Sequence, residues 1–241
     1  MQPTKMNTSF LYAVVLTILL SLGLALFLRS SAFTVQHVMI QGLKLSPESE
    51  ILKLANGVQG QNLFLFDQEA LKQKIAIHPL VQSVQFKRKL PQTLVLIVTE
   101  RTPVALVVVP KGVLEVDGQG TFLRRLESWP KEDHPVLTGI SLKDTVGPGQ
   151  NLANPSLTSA LNLLGQAPPE LLAQMGELHV ETNQQLTLYL RSGVEVRLGQ
   201  ATDWKPKLNA LYQLVSDNEY KSFQQGVKYI DFTAAKPVIG R

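Results

Sequence analysis

Residues 10–28, FLYAVVLTILLSLGLALFL, form nineteen consecutive positions without a charge, and they constrain this chain more than any other stretch. At about 1.5 Å rise per residue, a helix of this length reaches about 28 Å, close to the roughly 30 Å hydrocarbon core of a bilayer. The segment is therefore expected to span a membrane, with the rest of the chain divided by it. The other apolar runs, residues 94–98 and 104–109, are far shorter and read as buried strands. A cleaved signal peptide is the competing reading, since Ser30, Ser31 and Ala32 offer small residues for cleavage. Against it, signal cores usually run about 7 to 15 residues, and the charge ahead of this one is Lys5 and the amino terminus. Arg29 nearly balances that charge, so the positive-inside rule orients the helix weakly. A leader of residues 1–9, too short for a folded domain, leaves the C-terminal part as the exported one. The expectation is an uncleaved anchor with a cytoplasmic N-terminus and residues 29–241 outside the cytoplasm.

Beyond the anchor, 241 − 28 leaves 213 residues, enough for one large or two modest domains, and two are expected. The net charge of +4 falls to +3 without Lys5, spread over mixed signs, which does not describe a nucleic-acid binder. Lys87, Arg88 and Lys89 form the densest basic run, with Arg124 and Arg125 next, each near a strand end. A solvated strand terminus accounts for such runs, as does contact with phosphate or lipid headgroups. There is no cysteine, so neither a disulfide framework nor a thiolate metal site is available.

No motif with a catalytic mechanism stands out. His37, His78, His134 and His179 are scattered, no H-E-x-x-H run occurs, and no serine sits in a G-x-S-x-G elbow. The carboxylate pairs Glu48 with Glu50 and Glu132 with Asp133 fall on helix starts or loops, where dipole or solubility roles suffice. Gly118 and Gly120 read as a hairpin turn, because no helix pattern or Lys-Ser/Thr pair comes after them to complete a phosphate loop. The chain is expected to be no enzyme and to need no metal or cofactor.

Taken in order, residues 33–41 alternate as a strand closed by Gly42, with Val35, His37 and Met39 on one face. Ser46 and Pro47 start a short helix as N-cap and first-turn proline, and Asp67 caps a second helix ending at His78 and Pro79. Residues 81–89 and 93–100 alternate again around Leu90, Pro91 and Gln92, which predicts a hairpin. Residues 33–102 thus read strand, helix, helix, strand, strand, a compact α+β unit. Residues 104–109, 113–116 and 121–125 predict a meander, and 143–155 a loop. Asn154 or Ser156 caps a helix reaching Gly165, and Pro168 with Pro169 starts a shorter one. Strands come next at 177–182, 185–191 and 194–198, then a helix capped by Asp203 and a final strand at 227–233. Residues 103–241 therefore make a second α+β domain with a largely antiparallel sheet.

The order of the first unit, and HPLVQSVQFKRKLPQTLVLIVTERTPVALV within it, resembles the POTRA domain of the FtsQ/DivIB bacterial cell-division family. Val98, Glu100, Arg101, Pro103, Val104 and Ala105 fit its V-x-E-R-x-P-V-A ending. Val116, Asp117, Gly120 and Phe122 approach its V-D-x-x-G-x-x-F pattern, with the glycine one place early, and Pro135, Leu137 and Gly139 its P-x-L-x-G segment. Near the end, Tyr229, Ile230 and Asp231 match a Y-V/I-D motif, and Val238 with Gly240 an A-V-G tail. Thr233 and Ala234 depart from the arginine and aromatic common there.

A terminal strand leaves a row of N–H and C=O groups free for a partner strand, unless its own C-terminus covers it or it lies inside the sheet. Little chain lies beyond residues 227–233, so that strand is expected to be open. The resemblance implies a non-catalytic scaffold of the division complex in the inner (plasma) membrane at the septum. It implies an FtsB/FtsL pair received at this edge, on Tyr229, Ile230, Asp231, Phe232, Thr233, Ala234, Lys236 and Val238, and an FtsK-type protein at the POTRA domain. The alternative is a POTRA component of polypeptide export or outer-membrane assembly. That would call for tandem copies or a barrel of about 10-residue strands.

Overall fold

A computed structural model describes residues 8–129, 134–142, 146–200, 204–234 and 236–241. The leader up to residue 7, the Glu132 and Asp133 pair, residues 143–145 of the expected loop and the Asp203 cap lie outside the described residues. The chain separates into two units, one ending at Glu100 and one starting at Arg101.

The first unit opens with α1 (Thr8–Leu28), uncharged and apolar on every side. Among the described residues it is the one helix long and apolar enough to cross a membrane, with a mean hydropathy of 2.6 over an 18-residue window. The Thr17 and Ser21 hydroxyls donate to the helix's own carbonyls at Ala13 and Ile18, so these polar groups make no demand on the surroundings. The last turn of α1 is tied to the chain beyond it. Asn62 Nδ2 donates to Leu28 O at 2.9 Å, and the rings of Phe27, Phe33 and Phe64 stack edge to face with successive centroids 5.2 Å apart.

Next come β1 (His37–Gln41), α2 (Glu48–Leu54), α3 (Gln68–Ala76), β2 (Val81–Lys89) and β3 (Thr93–Glu100). The sheet order is β1-β3-β2, with β1 parallel to β3 and β2 antiparallel to it. The expected βααββ order is thus present. Ile51, Leu63, Ile75, Leu94 and Leu96 are fully buried in its core. Asp67 caps α3 by accepting from Ala70 N at 3.0 Å. Two local expectations change. Residues 33–36 fall outside β1: the amides of Gln36 and His37 both donate to Gln92 O, and this doubling breaks the alternation, so Phe33 and Val35 are buried and Met39 is exposed. Helix α2 begins one residue later than expected, with Pro47 at the cap position. The amides of Lys44, Leu45 and Ser46 are instead taken by the Glu100 carboxylate at 2.6 to 2.8 Å.

The second unit has β4 (Pro103–Val109), β5 (Gly112–Asp117), β6 (Phe122–Leu126), β7 (Val136–Thr138), α4 (Pro155–Gln166) and α5 (Pro169–Leu172). It continues with β8 (Met175–Val180), β9 (Leu186–Leu190), β10 (Glu195–Gly199), α6 (Lys205–Ser216), α7 (Asn218–Phe223), β11 (Tyr229–Asp231) and β12 (Val238–Gly240). The strands join in one sheet, ordered β12-β11-β10-β9-β8-β7-β4-β5-β6. Five of the eight pairings are antiparallel and three, β4–β7, β7–β8 and β10–β11, parallel, so the sheet is largely antiparallel as expected. Leu157 and Leu163 of α4 and Leu208 and Leu211 of α6 share one core with Leu178, Leu188 and Val196 of the strands. Asn154 caps α4 by accepting from Leu157 N at 3.0 Å. The first amides of α6, at Trp204 and Lys205, donate to Gln166 Oε1 at the end of α4.

Sequence reading missed β7, α7 and β12. The last omission overturns an expectation. The strand expected at 227–233 is β11, only residues 229–231, and its outer side is paired antiparallel with β12, so residues 227–233 are not an open edge. The physical reason lies at Asp231. Its Oδ1 accepts the Thr233 amide at 2.7 Å and the Thr233 hydroxyl at 2.6 Å, ending the strand, and β12 then returns alongside.

Candidate functional site

The outer end of the large sheet is built by β10, β11 and β12. β10 and β11 run parallel, with Glu195, Val196 and Arg197 opposite Tyr229, Ile230 and Asp231. Tyr229, Ile230 and Asp231 in turn face Gly240, Ile239 and Val238 of β12. β12 ends the strand order, so among the described residues one side of its backbone has no strand partner. The opposite edge, β6, differs, because Phe122 donates to Gln150 O and accepts from Gly149 N, so returning chain covers its start.

Val238 is 48% exposed and Ile239 36%, and successive strand residues point to opposite faces, so this short edge offers an apolar side chain on each face. Ile239 lies beside the fully buried Ile230, and Val238 beside Asp231. Gly240 has a steric reason. The Tyr229 ring lies over it, and a Cβ there would sit 2.1 Å from Tyr229 Cε1. The Arg197 guanidinium covers the Tyr229 ring at 4.5 Å and binds Glu195 at 2.7 Å. Arg241, just past β12, stacks over Phe223 of α7 at 4.8 Å.

The two bonds from Thr233, hydroxyl first and amide second, hold the Asp231 carboxyl below its usual range, with help from the Arg197 and Lys207 charges against a small desolvation. The arrangement therefore supplies backbone donors and acceptors, two apolar side chains and fixed charges at its rim. It can bind a strand by hydrogen bonding.

Of the expected contact residues, Ile230 and Phe232 are buried, 0% and 7% exposed, and belong to the core. Tyr229 and Asp231 are half-buried, and Thr233, Ala234, Lys236 and Val238 are exposed around the turn and β12. Ile239, Gly240 and Arg197 were missed. The Val238 and Gly240 tail motif marked the place, but no periodicity in three residues could reveal its role.

The other motifs have structural work inside their own units. Asp117 Oδ1 accepts Gln119 N and Thr121 N at 2.9 and 2.8 Å, and its Oδ2 accepts Arg101 Nη1 at 2.7 Å. Gly139 adopts φ +74°, and a Cβ there would meet Val180 O at 2.0 Å, so β7 and β8 can lie this close only with glycine. The histidines fall apart in space. His78 meets Glu50 at 3.0 Å, and His179 Nδ1 meets the Thr138 hydroxyl at 2.7 Å, which also donates to Glu177.

Comparison with known proteins agrees with the motifs. Residues 33–101 match the POTRA domain, FtsQ-type, and residues 105–232 the cell division protein FtsQ/DivIB C-terminal domain. Cell division protein FtsQ of Anaeromyxobacter sp. (strain K) is 30% identical over 214 residues, spanning 88% of this chain and 72% of that protein. Cell division protein FtsQ of Myxococcus fulvus is 34% identical over 188 residues, 76% of this chain and 64% of that protein. The major extracytoplasmic domain of the cell division protein DivIB from Geobacillus stearothermophilus has 21% identity and a TM-score of 0.34, over 46% of this chain and 87% of that one. The expected resemblance holds: this chain belongs to the FtsQ/DivIB family of bacterial cell division proteins.

Proposed function

We propose that this protein is a non-catalytic, single-pass scaffold of the bacterial division machinery, anchored by α1 and binding an FtsB/FtsL-type partner by strand addition. In this reading residues 1–9 are a cytoplasmic leader, 10–28 the anchor in the inner (plasma) membrane, 33–102 the POTRA domain and 103–241 the partner-binding domain, outside the cytoplasm at the septum. The observation that carries it is the side of β12 that has no strand partner among the described residues, with Val238 and Ile239 exposed beside it, in a family named for cell division. An incoming strand would extend the sheet by main-chain bonds and take its specificity from alternate side chains. The rim would be formed by Tyr229, Asp231, Thr233, Ala234 and Lys236, with Ile230 and Phe232 supporting it from the core. An FtsK-type protein at the POTRA domain is the matching proposal for the first unit.

The test belongs on β12. A proline at Ile230 would break a fully buried strand and report folding instead. In full-length protein, Val238→Glu with Ile239→Lys should weaken capture of the FtsB/FtsL pair at least tenfold, by about 1.4 kcal/mol or more. Tryptophan fluorescence, from buried Trp204 and exposed Trp129 together, should stay unchanged, verifying the fold. Undiminished capture by the folded variant would refute strand addition at this edge.

A further inference from the structure

The POTRA unit carries a second unassigned surface, at the tip of the β2–β3 hairpin. Contacts within this unit bring the tip to the last turn of α1. Asn62 holds Leu28 O, Phe64 stacks on Phe33 and Phe33 on Phe27, and Arg88 reaches the same place. Its Nε donates to Leu63 O at 2.8 Å and its guanidinium lies 5.7 Å over the Phe64 ring. The Gln36 and His37 amides bond Gln92 O, so the chain leaving α1 runs directly beside the turn.

At this end the protein is basic and apolar together. Lys87 and Lys89 are exposed, lie opposite Val95 and Thr93 on β3, and have no ion-pair partner among the described residues. Leu90 is 60% exposed and Leu65 58%. Of the acidic residues that open α3, Asp67 has its carboxylate turned to the Ala70 amide. Leucines left to water beside unpaired lysines, at the point where an apolar helix ends, match the chemistry of a bilayer interface. Their methylene stems and isobutyl groups suit the acyl boundary, and their ammonium groups suit phosphate.

We propose that the hairpin tip, with Lys87, Lys89, Leu90 and Leu65, rests on anionic phospholipid headgroups of the leaflet from which α1 emerges. This rests on reading α1 as a membrane anchor. Continuity with α1 selects the lipid surface as occupant, because a soluble anionic partner would have to enter between the tip and the membrane. The docked tip would hold the POTRA domain down on the bilayer instead of leaving it to swing about its attachment.

The chain has no cysteine, so Leu90→Cys in full-length protein gives a single labelling site. The fluorophore-labelled protein is placed in nanodiscs of phosphatidylcholine alone, or mixed with phosphatidylglycerol, each doped with headgroup-nitroxide lipid. Quenching at position 90 is expected with the anionic lipid and to fall with added salt. Lys87→Gln with Lys89→Gln should lower the docking equilibrium about 30-fold, two basic contacts being removed. Quenching that is absent with anionic lipid, or identical without it, overturns the proposal. A Leu19→Cys probe read with tail-nitroxide lipid separates the two readings. Quenching there together with a water-exposed position 90 rejects the docked tip alone, whereas no quenching at position 19 rejects the anchor and the tip with it.

Discussion

Gly240→Ala is the sharpest perturbation of the proposed partner edge. The new Cβ would stand 2.1, 2.3 and 2.7 Å from Cε1, Cζ and Cδ1 of Tyr229, where unbonded carbons need about 3.5 Å. Two responses are open. The ring can swing away, losing the Arg197 stack at 4.5 Å. Alternatively β12 can lift from β11. Overpacking of this kind costs about 1–3 kcal/mol. A three-residue strand whose ladder runs to β11 would take that loss in its own docking, not in the core. At about 2 kcal/mol the open fraction of β12 rises roughly 30-fold. Hydrogen exchange read by mass spectrometry should show that acceleration in peptides covering residues 228–241, with β8, where Leu178 is fully buried, unchanged. Tyr229→Ala removes the obstructing ring, so the double variant should be far less perturbed than the sum of the singles. Unaltered exchange in Gly240→Ala, or strict additivity in the double variant, would refute the steric account of this glycine.

The same contacts set other outcomes. Asp117→Asn should destabilise the second unit by about 2 kcal/mol, since an amide nitrogen would then face Arg101, 2.7 Å away and 20% exposed in its side chain. Tryptophan fluorescence in urea, with both Trp129 and Trp204 in this unit, would show the lowered midpoint, and an unshifted one would contradict it. Asn154→Ala should cost about 1 kcal/mol by the same measurement, because it uncaps α4. Glu100 gives a pH dependence. Partial burial pushes its carboxyl upward, but the Ser46 hydroxyl and the Leu45, Lys44 and Ser46 amides outweigh that and hold it below its ordinary 4.5. A carboxyl lowered on folding contributes stability that is whole above the unfolded value and lost as pH falls through the folded one. The POTRA unit should therefore weaken below about pH 4.5, and Glu100→Gln should flatten that limb of an acid titration followed by circular dichroism.

The first unit was legible because its signals are local. The 10–28 run, the Asp67 cap and the alternation of 81–89 and 93–100 each lie within one element, and each became one. The large sheet was legible in its hairpins and not in its joints. β7 and β12 have three residues each, too few for a period of two to register, and both owe their position to distant chain. Gly139 permits close approach to Val180, and Gly240 accommodates Tyr229, so the residues that look least like strand formers are the ones the neighbouring strands require. The turn at Asp231 and Thr233 hid β12 in another way. It cut an expected seven-residue strand to the three residues of β11 and returned the chain as β12, leaving the proposed partner edge on residues that periodicity could not reach.

The shortness of β12 limits what strand addition can do by itself. Three residues present about two or three main-chain bonds on the free side, each worth roughly 0.5–1.5 kcal/mol net. Even without the entropy of ordering a partner, that sum corresponds to a dissociation constant no tighter than about 0.5 mM. Such an edge resists adventitious pairing, as short edge strands generally do. A stable complex must then draw on surface beyond the ladder, and the exposed or half-buried groups adjoining it are Val238, Ile239, Lys236 and the Arg197–Tyr229 stack. A peptide covering only the added strand should bind far more weakly than a partner whose flanking residues also reach that stack, and the gap between the two affinities would measure how much recognition lies in side chains.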